Sequence, residues 1–169
     1  VEQLKTIFEN LPNNPRVVAS GNFATPKTLL TAFDQSVAEY RLNMLNAQPG
    51  IPDREGVVYE SSFVGAGMRR HPRLEYIPSR LSLLPELLRD HYMPDVVLLH
   101  TSVRRHDTVS LGTEVNVLPA AIESARARGG LVIAQANPQM PYTYGDAQIF
   151  EHEIDFLVEV DEPLTTKPH

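Results

Sequence analysis

Two runs dominate the distribution of apolar positions along the chain. Residues 94–100 read Pro-Asp-Val-Val-Leu-Leu-His, and residues 131–137 read Leu-Val-Ile-Ala-Gln-Ala-Asn. Successive side chains of a strand point to opposite faces, so each run predicts a strand covered on both sides. Residues 16–20 read as a shorter buried strand, 56–63 and 73–77 alternate as strands do, and 154–160 supply a last one. Between them the apolar positions recur at helical spacing. Leu4, Ile7, Phe8 and Leu11 mark a surface helix over residues 1–10. Thr25 followed by Pro26 predicts a helix start, a capping hydroxyl and then proline at the first helical position. Leu29, Leu30, Phe33 and Val37 form the inward face of that helix. Ser82 is placed to cap another helix running to about residue 90, with Pro85 tolerated in its first turn. Leu118, Ala121, Ile122 and Ala125 carry one more over residues 115–128, closed by Gly129 and Gly130.

Strands alternating with helices of this length predict an α/β fold, an open, mainly parallel sheet flanked by helices. The runs 96–99 and 131–136 are its expected central strands. Ligands of such sheets lie beyond the carboxyl ends of the strands. Attention therefore falls on the loops after Ser20, Phe63, His100 and Asn137.

Composition narrows the picture in four ways. A length of 169 residues corresponds to one domain at roughly 100–200 residues each. With 15 Lys and Arg against 21 Asp and Glu, the net charge of -6 disfavours nonspecific binding to nucleic acid, which needs a basic surface. The absence of cysteine excludes disulfides, thiolate zinc sites and cysteine nucleophiles, and is compatible with a reducing compartment; a cytoplasmic location is expected. No apolar run approaches the ~18 residues of a membrane span and no signal-like start is visible, so no membrane partner is expected.

Three loops carry the chemistry that remains. In the first, Ser61, Ser62, Gly65 and Gly67 combine two hydroxyls with two glycines, which would let backbone N–H groups approach a carboxylate or phosphate. A turn that merely needs glycine explains the same residues. Neither a P-loop nor a dinucleotide fingerprint fits, because no Gly-Lys-Ser/Thr follows and the glycines precede a strand. In the second loop, Asn137, Met140 and Pro141 end a buried strand, with Pro138 stiffening the backbone. Asn137 can meet a substrate or hold its own loop. The third loop holds Arg104, Arg105, His106 and Asp107, a basic cluster matched by Arg69, Arg70 and His71. Such pairs fit a phosphorylated ligand, or are simply solvated. His100, His106 and Asp107 match no metal-ligand spacing, so no metal is expected. Glu60, Glu75, Glu114 and Glu123 show no partner in the sequence, and no nucleophile–base constellation is present.

Taken in order, these segments resemble the N-terminal domain of the acetyl-CoA hydrolase/transferase family. The resemblance starts near Arg16 and runs through Ser-Ser-Phe-Val-Gly-Ala-Gly-Met-Arg at 61–69, Tyr-Ile-Pro at 76–78 and Pro-Asp-Val-Val-Leu-Leu at 94–99. It continues through Ser-Leu-Gly at 110–112, Val-Ile-Ala-Gln-Ala-Asn at 132–137, Met140-Pro141, Gly145-Asp146 and Ile-Asp-Phe-Leu-Val-Glu at 154–159. Two departures stand out. Relatives often carry Pro-Pro-Asp-x-x-Gly where residues 102–108 read Ser-Val-Arg-Arg-His-Asp-Thr, and often Arg where Tyr142 stands.

The resemblance implies a two-domain enzyme whose fold is shared with ribose-phosphate isomerases. It implies a nucleophilic glutamate in a second, C-terminal domain, which matches no segment of this chain. That carboxylate would form an acyl-glutamyl anhydride and then a glutamyl-CoA thioester, passing CoA to a short-chain carboxylic acid, or to water in a hydrolase. Coenzyme A then enters as a thioester substrate and no bound cofactor is implied. The implied partners are acyl-CoA, a short-chain carboxylate and the chain's own C-terminal domain; a homo-oligomer is compatible with the sequence. Ser61, Ser62, Gly65, Gly67, Asn137, Met140 and Pro141 are expected to line one wall of a shared substrate cleft, with no catalytic residue in this chain, which alone is expected to be inactive. The rival reading is a noncatalytic ligand-sensing or interaction domain of the same fold, supported by the two departures. A sugar-phosphate isomerase rests on the arginine clusters alone.

Overall fold

A computed structural model describes residues 2–164. The chain opens with helix α1 (Glu2–Glu9); Val1, the first residue of the predicted helix, lies outside the described residues. Seven strands then build one sheet: β1 (Arg16–Ala19), β2 (Tyr40–Asn43), β3 (Val57–Ser61), β4 (Leu74–Tyr76), β5 (Val96–Thr101), β7 (Leu131–Ala136) and β9 (Phe156–Glu159). A two-stranded antiparallel ribbon of β6 (Thr108–Ser110) and β8 (Gln148–Phe150) stands outside it. The remaining helices are α2 (Lys27–Ser36), α3 (Leu84–Asp90) and α4 (Leu118–Ala127).

The sheet order is β4-β3-β2-β1-β5-β7-β9, and every pairing within it is parallel. From β1 the chain first winds outward to β4, then returns to the other side of β1 and winds outward to β9. The winding direction thus reverses between β1 and β5, the switch point where open parallel sheets leave a crevice.

Parallel neighbours need crossovers, and crossovers cover the faces. On one face, Val17, Leu42, Tyr59, Leu98 and Ile133 pack with Phe8 of α1 and Leu29, Leu30 and Phe33 of α2. On the other, Val18, Val97, Leu99, Val132 and Ala134 pack with Leu88 of α3 and Leu118, Ala121, Ile122 and Ala125 of α4. All six residues of β5 are buried, as its unbroken apolar run predicts.

Three expectations needed correction. Strand β2 was not among the predicted elements; its Tyr40 and Leu42 enter the core while Arg41 stays half-buried. Thr25 does not cap α2: the helix begins at Lys27 after Pro26, without a side-chain cap from the preceding loop. The free Leu29 N–H is accepted instead by Gln135 Oε1 of β7 at 3.1 Å, so the cap comes from across the sheet. Ser82 likewise sits inside a short 3-10 turn (Leu81–Leu83) leading into α3, and caps nothing.

The β1–β3 part of the second face is polar. Glu60, fully buried, receives Arg16 through two hydrogen bonds of 2.7 and 3.1 Å, while Arg41 reaches it at 3.9 Å and Glu75 at 2.6 Å. The guanidinium of Arg16 also lies over the Tyr92 ring at 5.2 Å. Removing one partner strands the other's charge where water cannot fully solvate it. Glu60→Ala should therefore cost about 3 kcal/mol and Glu75→Ala less than ~1 kcal/mol, the latter carboxylate being 54% exposed. Urea unfolding of the two variants checks the contrast; equal losses would refute the assignment of the network to Glu60.

Candidate functional site

All the sequence-predicted site residues follow parallel strands and so stand at the carboxyl edge of the sheet, in two groups. Ser61, Ser62, Gly65 and Gly67 leave β3; Asn137, Met140 and Pro141 leave β7. Strands β2, β1 and β5 lie between, four inter-strand steps amounting to about 19 Å. The two loops therefore flank the edge without meeting.

The β3 group is knitted into the neighbouring loop. The Ser61 hydroxyl is buried, facing the Met44 and Phe63 carbonyls at 2.7 Å each and accepting the Phe63 N–H at 3.1 Å. Ser62 is half-buried and Phe63 projects outward, 49% exposed. Both glycines lie against the backbone of the loop after β2. A Cβ on Gly65 would stand 2.5 Å from the Ala47 carbonyl oxygen, and one on Gly67 closer still to that of Gln48. The Gly67 N–H is already given to the Ala47 carbonyl at 2.8 Å. The glycines thus allow one loop to lie on another.

The β7 group is anchored by a buried polar chain. Asn137 Oδ1 accepts the Gln139 N–H at 3.0 Å, and its Nδ2 donates to the Glu162 carbonyl at 2.8 Å. Those contacts fix the amide's orientation, so Nδ2 also donates to Nε2 of His100, at 3.0 Å. Nε2 must then lack a proton, and the neutral ring carries its hydrogen on Nδ1. Nδ1 is buried and meets no aligned partner. Desolvation leads and holds the His100 imidazole below its ordinary range, with the Glu162 carboxylate and then the Thr25 and Ala24 carbonyls opposing it only in part. The Glu162 carboxylate receives Gln135 Nε2 at 2.7 Å and the Thr28 hydroxyl at 2.9 Å, tying the segment after β9 to α2. Met140 is buried against Gly112, and Pro141 is exposed.

The two departures from the family pattern meet in space. The Tyr142 hydroxyl bonds the Thr108 hydroxyl at 2.6 Å, and the Arg105 guanidinium lies 4.8 Å above the Tyr142 ring. Hydrogen bonding to Thr108 is the main influence holding the Tyr142 phenol below its usual range. Arg104 pairs with Glu151 at 2.8 Å. These basic side chains are engaged by the protein itself, while Arg69 and Arg70 are exposed. Among the described residues no group of three or more His, Cys, Asp or Glu could hold a metal, and no helix is long and apolar enough to cross a membrane.

The middle of the edge, at the switch point, holds what sequence reasoning missed. Glu114 is buried, and both its oxygens are occupied by amides, from Asn22 after β1 and from Asn116 before α4. Asn46, after β2, donates to Asn22 Oδ1 at 2.7 Å. All three asparagines have positive φ, 48°, 47° and 33° for 22, 46 and 116, a backbone region that asparagine tolerates better than most residues. Their scatter over three loops hides them from any local motif.

Comparison with known proteins follows the same lines. Residues 2–166 match the family model described as the acetyl-CoA hydrolase/transferase N-terminal domain. The chain is 29% identical over 167 residues to a 4-hydroxybutyrate coenzyme A transferase of Clostridium kluyveri, covering 91% of this chain and 38% of that protein. It is 32% identical over 155 residues to a succinyl-CoA:acetate/propanoyl-CoA:succinate CoA transferase of Fasciola hepatica, covering 84% of this chain and 32% of that one. The chain thus spans about a third of these relatives' lengths. The crystal structure of RipA from Yersinia pestis shares the fold, with a TM-score of 0.84 at 22% identity over 98% of this chain and 43% of that chain.

A neutral buried imidazole has a consequence for acid stability. The unfolded chain binds the His100 proton at about pH 6.5, more tightly than the folded protein does. The stability contributed by the neutral ring is present above that pH and lost as pH falls through the depressed folded value. The melting temperature of the wild type should fall more steeply between about pH 7 and pH 5 than that of His100→Gln. Parallel curves would refute the buried neutral ring.

Proposed function

The chain belongs to the acetyl-CoA hydrolase/transferase family, and on that premise we propose that it forms one wall of an active site that moves CoA between short-chain carboxylic acids. The observation that carries the reading is the family match over nearly the whole chain, with relatives named as CoA transferases. A second domain supplies the nucleophilic glutamate. Its carboxylate oxygen attacks the thioester carbonyl, and the C–S bond breaks to give an acyl-glutamyl anhydride and CoA thiolate. The thiolate then attacks the glutamyl carbonyl, forming the glutamyl-CoA thioester and releasing the first acid as its carboxylate. The acceptor carboxylate reverses the sequence and leaves as the new acyl-CoA. Each step exchanges one acyl bond for another, which divides a difficult transfer into easier ones.

This chain's part is to bind and orient. The loop of Ser61, Ser62, Gly65 and Gly67 and the loop of Asn137, Met140 and Pro141 form the two flanks of the cleft. Ser61 and Asn137 act through the loops they hold, since their polar atoms are engaged within the fold. Ser62 and the exposed Phe63 and Pro141 remain available to a substrate.

The test compares two proteins. The full-length protein should exchange CoA between acetyl-CoA and a short-chain carboxylate at ~1 per second or faster, and the 169-residue chain alone should not. A full-length protein that binds these compounds and transfers nothing would favour the ligand-sensing reading. Turnover by the isolated chain would overturn the division of labour.

A further inference from the structure

We propose that Glu162 is a positioning residue for CoA transfer. Its carboxylate, seated on Gln135 and Thr28, fixes the course of the chain beyond the last strand and thereby aims the second domain at the cleft. The inference rests on the reading that a second domain carries the nucleophile, and it names the residue of this chain that places it.

Strand β9 lies at the edge of the sheet and ends at Glu159. A chain leaving an edge strand without further contacts would have a hinge at that point. Here the backbone instead stays fastened across the end of β7. The Val160 N–H is given to the Ala136 carbonyl at 2.9 Å, and Gln139 Nε2 donates to Asp161 Oδ1 at 2.9 Å. Asn137 Nδ2 donates to the Glu162 carbonyl at 2.8 Å. The Glu162 side chain then reaches α2, where its carboxylate accepts Gln135 Nε2 at 2.7 Å and the Thr28 hydroxyl at 2.9 Å. Pro163 follows, and a proline restricts the residue before it toward extended backbone.

The need for an acceptor at this place comes from the core. Gln135 is wholly buried in β7, and its Oε1 accepts the free Leu29 N–H in the first turn of α2. With the oxygen committed, Nε2 must point the other way, and a buried donor without an acceptor is costly. Glu162 supplies that acceptor from beyond the sheet. Its negative charge also lies by the N-terminal turn of a ten-residue helix, where the helix dipole favours it. Asn137, also wholly buried, is committed in the same way, its oxygen to the Gln139 N–H and its NH₂ to the Glu162 carbonyl. The segment at 160–162 therefore takes its position from two buried amides of the core.

A nucleophile brought from another domain depends on that position. Displacing a reacting group by about 1 Å can cost about a hundred-fold in rate, and a free tether supplies only an effective concentration of about a millimolar. Fastening the chain to α2 and β7 removes that freedom where the second domain begins to be reached.

The test uses the full-length protein with acetyl-CoA and acetate. In Glu162→Ala, kcat at saturating acetyl-CoA should fall at least about ten-fold. Small-angle X-ray scattering should show a broader distribution of distances between the two domains. In Glu162→Gln the side-chain oxygen can accept Gln135 Nε2 while the NH₂ donates to the Thr28 hydroxyl, so most of the rate and the compact profile should return. Thr28→Val removes one of the two donors; it should give an intermediate kcat, and serves if Glu162→Ala fails to fold. A merely structural role would lower the melting temperature alone. Either kcat per folded molecule or the scattering profile staying at its wild-type value would overturn the proposal, as would a Glu162→Gln as slow as Glu162→Ala. If the wild type transfers no CoA, the transfer reading fails and scattering decides by itself. Broadening in Glu162→Ala then keeps the placement of the second domain by Glu162, and an unchanged profile overturns it.

Discussion

Seven strands running the same way impose the constraint on which everything else depends. A parallel strand cannot return to its neighbour by a tight turn, so each connection must cross a face of the sheet. Both faces are thereby covered, and the strands β5 and β7 can be apolar on successive residues. The same constraint sends every carboxyl end to one edge. Seven loops converge there, and the reversal of winding between β1 and β5 leaves the middle of that edge open. The position of the candidate site is thus a consequence of strand direction before any functional residue is considered.

Legibility in the sequence tracked how much of each element's burial is apolar. Residues 96–101 and 131–136 announce themselves because helices cover both sides. Strand β2 was silent because Arg41 and Asn43 lie on the face where Arg16, Arg41 and Glu60 replace a helix contact with ion pairs. A pattern of Tyr-Arg-Leu-Asn over four residues reads equally as loop. The ribbon of β6 and β8 was silent for another reason: each strand has three residues, and their pairing joins segments about forty residues apart. The cap of α2 failed in the same way. Thr25 is the right residue in the right local place, yet Gln135 from β7 fills the position, and no local rule reaches across that separation.

At the site the residue types were informative and their reasons were not. Glycines 65 and 67 do mark a close approach, but the approaching group is the backbone after β2. Glu114 looked unpartnered because its partners, Asn22 and Asn116, are amides and one is distant in sequence. Sequence reading looks for opposite charge near a carboxylate, and a buried carboxylate satisfied by amide N–H groups escapes that search. The usable signal was weaker: asparagines immediately beyond two parallel strands, where asparagine most readily adopts the left-handed conformation.

The two flanks of the edge are made rigid by different physics. On the β3 side one loop lies directly on another, and the glycines leave no side chain to rearrange. On the β7 side Asn137, His100 and Glu162 form a hydrogen-bonded chain inside the fold. Rigid supports of this kind hold a reacting group in place. At the centre of the edge a third kind of support joins them, where the buried Glu114 carboxylate accepts the Asn22 and Asn116 amides and Asn46 donates to Asn22, so that loops from three strand ends are tied to one point. The means of holding each loop therefore follows the sheet itself, with backbone packing under one flank, a hydrogen-bonded chain under the other and a carboxylate held by amides at the switch point.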